Sequence, residues 1–396
     1  MGGYGTKCQV AYIPHPQRES NMPDSLPTIW PVEPHTRAKH AILKNYLDAW
    51  MPIMARQAAK AGSRKEICFI DAFAGPGRYS GGEDGSPILA IKAAIQHPTE
   101  FPVPIRLFFI EKDPDRFAVL DSTIKGLVSS TESLRNVVVD PPRCGDCNDI
   151  LDELLDHAAR DQRDFGPALV FLDQTGYSDV PMTLIARIMK NPQCEVFSYL
   201  NYNYLTRFLS DDEKDTARTI AFGDDDWMHA RRLQGTERER YLLQAYKDKL
   251  RERGGARYVW DFAMADSYDK PIYWLFFATN NLRGLEEMKR AMWRVDEAGT
   301  FRFSDRSDPS QLKLLRLFSD DWLASSLLER LAGRTLTNGE IKEFVLTETN
   351  CYKHANAMQG LYKSEKIEVL NIRPGAKRPS FGKEMDLLVR FPSREI

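Results

Sequence analysis

Residues 69–80 read FIDAFAGPGRYS, an apolar run that ends in an acid and is followed by two glycines one residue apart. Glycine lets a backbone turn tightly and approach a ligand closely, because it has no Cβ. In open α/β sheets, ligands bind beyond the carboxyl ends of the strands, where such a turn lies. We predict a ligand-binding turn that uses Asp71, Phe73, Gly75 and Gly77; the alternative is a purely structural strand-to-helix turn.

The segments around this turn repeat a strand and a helix-sized spacer. Buried parallel strands read as continuous apolar runs, and each crossover needs a dozen or more residues. The predicted strands are Ile67–Asp71, Ile105–Glu111, Asn136–Val139, Ala168–Asp173 and Glu195–Leu200. This pattern predicts a doubly wound, Rossmann-like α/β sheet. Two further runs, Tyr258–Phe262 and Ile272–Ala278, predict an antiparallel edge and therefore a mixed sheet.

The remaining segments suggest the domain organisation. Residues 1–33 form an irregular, proline-rich arm, and 34–295 form the α/β domain, with a first helix at 34–60 interrupted at Pro52 and a charged, helical insertion at 211–253. Residues 296–320 are polar and turn-rich, which predicts a linker. The tail, 321–396, shows three helices and then a short hairpin, the order of a winged helix-turn-helix.

Composition limits the classes of function. Hydrophobic residues make up 42% and charged residues 28%, and the net charge is −2, so a disordered chain and a histone-like polycation are both excluded. The six cysteines are scattered, no apolar stretch approaches the roughly 18 residues of a membrane span, and no signal peptide is visible, so we expect a reduced, cytoplasmic protein. Cys144 and Cys147 lack two further ligands at a suitable spacing, and no metal site is predicted.

Charge is distributed unevenly along the chain. Residues 351–396 hold nine Lys or Arg against five Asp or Glu. Basic side chains on one domain are the electrostatic signature of nucleic-acid binding. The predicted phosphate contacts are Lys353, Lys363, Arg373, Lys377 and Arg378. Winged helices also serve as protein-binding modules, and this alternative stays open.

Polar residues end the other predicted strands. An acid at the tip of a second strand accepts hydrogen bonds from a pair of ribose hydroxyls, and Glu111 holds this position. Asp146, after the third strand, is a candidate acceptor for the exocyclic amine of adenine, or equally a helix cap. After the fourth strand, Asp173, Gln174 and Tyr177 are candidate catalytic residues; the alternative is local turn structure.

Taken together, these motifs resemble the three-Cys-motif partner protein (TcmP) family. The resemblance runs through WPVEPHTRAKHAILKNYLDAW (30–50), IDAFAGPGRY, FFIEKD, VFLDQTGYSDVP and IYWLFFATNNLRGLEEMKRAMW (272–293). It implies a class I S-adenosylmethionine methyltransferase-type fold, with Asp71, Gly75 and Gly77 in the cofactor loop, Glu111 at the ribose and Asp173 as the fourth-strand acid. The resemblance also implies a radical S-adenosylmethionine-like partner that carries the three-cysteine motif.

One departure qualifies this resemblance. Many relatives have Asp-Pro-Phe-Gly after the fourth strand, whereas Gln174 and Thr175 replace the Pro and Phe here. The polar residues between His35 and His40 match the family's first helix, and we interpret them as a solvated face. Two functions follow: a methyltransferase that acts on nucleic acid, or a non-catalytic nucleic-acid-binding accessory subunit of the radical enzyme, in DNA repair.

Overall fold

A nine-stranded sheet organises the described residues between 28 and 305. The computed structural model describes residues 28–61, 66–160, 165–174, 176, 179–207, 209–305, 318–373, 375 and 378–393. The strands of the sheet are β1 (Ile67–Asp71), β2 (Ile105–Glu111), β3 (Val137–Val139), β4 (Arg143–Cys144), β5 (Ala168–Leu172), β6 (Cys194–Leu200), β7 (Tyr258–Ala265), β8 (Pro271–Thr279) and β9 (Arg302–Ser304).

Helices cover both faces of this sheet. They are α1 (Pro34–Ala61), α2 (Ser86–Ile95), α3 (Pro114–Ser129), α4 (Cys147–Arg160), α5 (Met182–Met189), α6 (Tyr202–Arg207), α7 (Asp215–Phe222), α8 (Gly235–Glu252) and α9 (Leu282–Trp293). Side chains alternate between the faces of a strand. Phe69 therefore belongs to a core shared with α1, α2 and α9, whereas Ile70 belongs to a core shared with α4, α5 and α8.

The strand order is β3-β2-β1-β5-β6-β8-β7-β9, with β4 paired to β2 beyond β3. The strands from β3 to β6 run parallel, and β8 runs antiparallel to both β6 and β7. Every residue of β5 is buried, as expected for a central parallel strand. The predicted Rossmann-like, doubly wound mixed sheet is confirmed.

Two expectations about this region need correction. The β7–β8 hairpin is not the edge of the sheet, because β9 pairs with β7 on its outer side. β9 also lies within the stretch 296–320 that was predicted to be a linker, so the sheet extends to Ser304. The insertion at 211–253 is helical as predicted and contains α7, α8 and the two 3-10 helices Asp212–Lys214 and Asp226–Arg232.

The predicted interruption of the first helix at Pro52 is wrong, because α1 continues through this proline. Proline leaves the carbonyl four residues earlier without its helical donor. That carbonyl belongs to Asp48, and Nε2 of His97 donates to it at 3.1 Å. A side chain from the end of α2 thus replaces the missing backbone bond, and the helix remains continuous.

A second, smaller unit follows. It contains α10 (Asp320–Arg330), β10 (Thr335–Thr337), α11 (Asn338–Glu348), α12 (Ala355–Lys363), β11 (Glu368–Val369) and β12 (Leu388–Arg390). The strands form an antiparallel sheet in the order β10-β12-β11. The third predicted helix is shorter than expected and excludes Lys353, because the chain enters α12 only after His354.

The two units are joined by buried contacts. The Nζ atom of Lys289 on α9 donates to the carbonyls of Leu346 at 2.9 Å and Thr349 at 2.6 Å, near the carboxyl end of α11. Trp293 donates to the carbonyl of Asn350 at 2.9 Å. The smaller unit is therefore packed against α9. Across the described parts of both units, no helix combines the length and the apolar character needed to cross a bilayer.

Candidate active site

The glycine turn after β1 leaves open space beside its backbone. Gly75 has φ +63° and Gly77 has φ +79°, in the left-handed region that favours glycine. A Cβ on Gly75 would meet no atom within 4 Å, whereas one on Gly77 would lie 3.1 Å from Leu120. The positive φ favours glycine at both positions, and packing also crowds a Cβ on Gly77, whereas Gly75 faces open space at the carboxyl edge of the sheet, which we call the cleft.

Asp71, at the tip of β1, is a fully buried acid with an unused acceptor. Its Oδ1 accepts from the backbone N–H of Phe73 at 3.3 Å, whereas Oδ2 has no hydrogen-bond partner among the described residues. Burial raises the pKa of Asp71 to about 7. The Ser86 hydroxyl opposes this rise, and the Asp173 carboxylate adds to it. A buried, perturbed carboxyl beside a glycine turn indicates a functional site.

Glu111 holds the glycine turn in place. Its carboxylate accepts from the backbone N–H groups of Gly75 and Asp113, each at 2.8 Å. Each carboxylate oxygen can accept a further hydrogen bond, so a ribose role is compatible with these contacts. The ribose assignment remains a prediction.

Asp146 follows β4, beside the carboxyl end of β2. Its carboxylate accepts from Lys112 Nζ at 2.9 Å and from the backbone N–H of Asn148 at 2.9 Å. Burial opposes ionisation, but the hydrogen bonds from Lys112 and the backbone, together with the charge of Lys112, outweigh it and lower the pKa of Asp146. The second contact gives Asp146 the capping position that was its alternative role, and the adenine contact remains a prediction.

Asp173, directly after β5, forms an ion pair that sequence reasoning missed. Lys39 Nζ lies 2.7 Å from Oδ1 and 2.5 Å from Oδ2. The ammonium also lies 5.7 Å from the ring centre of Tyr199 and 5.8 Å from that of Tyr273. The side chains of Lys39 and Asp173 are only 9% and 17% exposed, so the pair is largely removed from water.

The interpretation of residues 35–40 as a solvated helix face is wrong. His35, Lys39 and His40 are all buried, because this end of α1 lies against the carboxyl edge of the sheet. A signal was present, since Lys39 continues the apolar stripe of Leu43 and Tyr46 at helical spacing. Burial lowers the pKa of His40 to about 3, so this imidazole is neutral at physiological pH.

Of the other two predicted catalytic residues, Gln174 and Tyr177, the structure describes only Gln174. Gln174 is buried, and its amide donates to the Tyr199 carbonyl at 2.8 Å and accepts from the Val180 N–H at 3.1 Å. These bonds tie β6 to the loop before α5. Tyr177 lies outside the described residues. Substrate roles for both remain predictions.

The amino-terminal segment crosses the glycine turn. Ser80 donates its backbone N–H to the Trp30 carbonyl at 3.0 Å, and the ring of Trp30 lies edge-on to Tyr79 at 6.0 Å. The guanidinium of Arg116 lies 5.5 Å from the centre of the Trp30 ring. Trp30 therefore packs beside the glycine turn, on the side of α3.

His35 fixes the beginning of α1 and predicts a pH effect. Its Nε2 lies 2.9 Å from Glu33 and its Nδ1 3.1 Å from Asp305. Burial opposes protonation, but the hydrogen bonds to Glu33 and Asp305 outweigh it and raise the pKa of His35. A raised pKa stabilises the fold at pH values below about 6.5, the pKa of histidine in an unfolded chain. This stabilisation is lost as the pH rises through the higher pKa of His35 in the folded protein.

We expect His35→Gln to lower Tm by a few degrees at pH 5.5 and by less at pH 8.5. Differential scanning calorimetry at both pH values measures this difference, with Lys44→Met on the exposed side of α1 as the control. An equal loss of Tm at the two pH values would show that the ion pairs of His35 do not contribute.

The predicted nucleic-acid contacts lie together on the smaller unit. Lys353 precedes α12, Lys363 ends it, and Arg373 and Arg378 follow β11; all four are exposed. Arg373 also lies 3.3 Å from Glu384, which offsets part of its charge. Lys377 lies outside the described residues.

Comparisons with known proteins give a limited result. No family model matches the chain, and no curated protein matches it. One similar solved structure is a candidate methyltransferase from Porphyromonas gingivalis W83, with 11% identity and a TM-score of 0.25 over 57% of this chain and 40% of that chain. Another is a candidate caffeoyl-CoA O-methyltransferase from Staphylococcus aureus, with 11% identity and a TM-score of 0.26 over 57% of this chain and 80% of that chain. A DUF574 family protein from Streptomyces avermitilis MA-4680 is also 11% identical, with a TM-score of 0.27 over 62% of this chain and 87% of that chain. Likenesses this low say nothing about substrate.

Proposed function

We propose that this protein is an S-adenosylmethionine-dependent methyltransferase that acts on nucleic acid. The observation that carries the proposal is the unpartnered Oδ2 of the buried Asp71 beside the open face of Gly75. The strand order supports it, since an antiparallel strand inserted near one end of a parallel sheet, as β8 is between β6 and β7, is the arrangement of class I methyltransferases.

The residues around the cleft fit this cofactor chemically. S-adenosylmethionine supplies a methyl group on a sulfonium, and its hydrogen-bond donors include an ammonium, two ribose hydroxyls and an adenine amine. The cleft offers carboxylates at the ends of neighbouring strands, Asp71, Glu111 and Asp146, and a glycine backbone that permits close approach. We assign these residues to hold the cofactor, with Asp71 as the buried negative charge that favours a cationic ligand.

The nucleic-acid part of the proposal rests on the smaller unit. Its order of helix, strand, two helices and two strands is that of a winged helix-turn-helix, in which α12 would be the recognition helix. The exposed Lys363 and Arg378 would contact phosphates and supply salt-dependent affinity. From the TcmP resemblance, we further propose a radical S-adenosylmethionine-like protein as the physical partner.

A second candidate function is a non-catalytic accessory subunit that binds nucleic acid for that partner, in DNA repair. The buried Gln174 favours it, because its amide is engaged by the Tyr199 carbonyl and the Val180 N–H and is not offered to a substrate. Cofactor binding distinguishes the two functions, since only the methyltransferase requires S-adenosylmethionine.

We expect Gly75→Ala to weaken S-adenosylmethionine binding about tenfold or more, because its Cβ enters the cleft and strains the backbone. Isothermal titration calorimetry measures this. Gly82→Ala is the matched control, because Gly82 also has a positive φ (+88°) and open space at its Cβ but lies in the exposed loop after the turn.

Both alanines should lower the stability by about 1 kcal/mol, the cost of a left-handed non-glycine residue. Only Gly75→Ala should change the affinity. If the wild-type protein shows no heat of S-adenosylmethionine binding, the methyltransferase proposal fails and the accessory-subunit function is favoured.

A further inference from the structure

We propose that the ion pair of Lys39 and Asp173 is a binding site for a substrate hydroxyl, and that the methyl acceptor is a ribose 2′-hydroxyl of RNA. This inference rests on the proposed function, since it names the substrate class of the same site. It adds Lys39, which belongs to the first helix and not to the sheet, to the residues that contact substrate.

The position of the pair supports a substrate role. β5 lies beside β1, with Phe171 opposite Asp71, and Ala72 of the glycine turn donates its backbone N–H to the Phe171 carbonyl at 3.0 Å. Asp173 follows two residues later. The pair therefore lies next to the turn assigned to the cofactor, on the side away from Glu111 and β2.

The pair retains capacity for one more ligand. An ammonium has three N–H donors, and the described residues give Lys39 Nζ hydrogen-bond contacts only with the two oxygens of Asp173. Each carboxylate oxygen has two lone pairs, so Asp173 can accept a further proton. Tyr199 and Tyr273 pack around the ammonium and restrict its motion. A donor and an acceptor are thus held side by side.

This arrangement fits a hydroxyl better than an amine. A hydroxyl oxygen has one hydrogen and two lone pairs, so it can donate to Asp173, accept from Lys39 and still present a lone pair to a methyl group. The exocyclic amine of a base has a single lone pair, which the Lys39 donor would occupy. In addition, the amide of Gln174 points into the protein and is not offered to a base.

Carbon methylation of a base is also disfavoured. At C5 of a pyrimidine, that chemistry needs a cysteine nucleophile on the acceptor side of the cleft, beside Asp173. The cysteine of β6, Cys194, lies at the opposite end of its strand, with Sγ 3.0 Å from the Phe165 carbonyl.

In the proposed methyl transfer, every bond, proton and electron pair is accounted for by the substrate, the methyl donor and these two side chains. The substrate O–H bond breaks and its proton goes to Asp173, an O–CH₃ bond forms, and the electron pair of the broken sulfur–carbon bond stays on sulfur. Lys39 stabilises the oxygen as it loses the proton. No other reactant is required.

Binding can be tested without cofactor. The probes are three single-stranded 12-mers of one mixed sequence with ribose, 2′-deoxyribose or 2′-O-methylribose, measured by fluorescence anisotropy. We expect wild type to bind RNA about tenfold more tightly than the 2′-O-methyl strand, which keeps the RNA sugar conformation. Lys39→Met should bring this ratio close to one, and Lys44→Met, an exposed lysine on the same helix, should leave it unchanged.

Lys39→Met alone leaves a largely buried carboxylate unpaired, so the double variant Lys39→Met, Asp173→Asn removes both charges together. It should fold, bind S-adenosylmethionine as wild type does, and show the same loss of discrimination. Equal wild-type affinity for all three strands overturns the inference. Methylation of a base of the RNA, found by mass spectrometry of its nucleosides, also overturns it but leaves the proposed function standing; absence of S-adenosylmethionine binding overturns the proposed function instead.

Discussion

Asp71→Asn is expected to weaken S-adenosylmethionine binding roughly 10- to 150-fold, the effect of losing a hydrogen bond to a charged group. The side chain is fully buried at the tip of β1, and the wild-type Oδ2 has no partner among the described residues. Asparagine keeps the shape and the bond from the Phe73 N–H but loses the negative charge. Isothermal titration calorimetry of both proteins at pH 8 measures the difference.

The same variant should lose the pH dependence of binding. Burial raises the pKa of Asp71 to about 7, so the wild-type carboxyl ionises as pH rises from 6 to 8, and its affinity for a cationic ligand should rise over this range. The stability of the wild type should move in the opposite direction, since a raised carboxyl pKa favours folding at low pH and is lost as pH rises through about 7. The Tm of Asp71→Asn minus the Tm of wild type should therefore be more positive at pH 8 than at pH 6.

Glu195→Gln is the matched control for Asp71→Asn. Glu195 is another buried carboxyl whose pKa burial raises to about 7, but it lies at the far end of the sheet, where Tyr46 donates to it at 2.6 Å and Thr279 at 2.8 Å. It should change the pH dependence of stability without changing cofactor affinity. Unchanged binding in Asp71→Asn would remove Asp71 from the site.

The sheet was largely predictable from the sequence because its signals are local. Each central parallel strand is a continuous apolar run, and β5 shows this most clearly, with every residue buried. The glycine turn was predictable for the same reason, since Gly75 and Gly77 follow an apolar strand within a few residues. Short strands such as β9 lack this signal, because three half-buried residues carry too little apolar pattern to distinguish a strand from a linker.

What the sequence did not reveal depends on residues far apart in the chain. Lys39 meets Asp173 across 134 positions, and His97 completes the helix bond lost at Pro52 from 49 positions away. Neither partner can be identified from spacing, because tertiary packing brings them together. The spacing of Lys39 with Leu43 and Tyr46 could have predicted its burial, but not that Asp173 is its partner.

The double variant Lys363→Glu, Arg378→Glu is expected to weaken nucleic-acid binding by about ten- to a hundredfold at 50 mM salt. Both side chains are exposed, at the end of α12 and after β11. Each phosphate contact contributes close to one unit to the slope of log affinity against log salt, so the slope should fall by about two. Fluorescence anisotropy with labelled duplex DNA and RNA across a salt series measures both quantities.

Charge reversal tests the smaller unit better than its deletion. Truncation before α10 would leave the buried amino group of Lys289 without the carbonyls of Leu346 and Thr349, and would uncover Leu285, which packs against Leu346. A loss of nucleic-acid binding after truncation could then come either from the missing contacts of the smaller unit or from damage to the larger unit. The matched control reverses Lys44 and Lys125 instead, whose side chains are 51% and 71% exposed on the larger unit. If both pairs of reversals lower the affinity equally, the chain binds through its overall charge, and a recognition role for α12 is excluded.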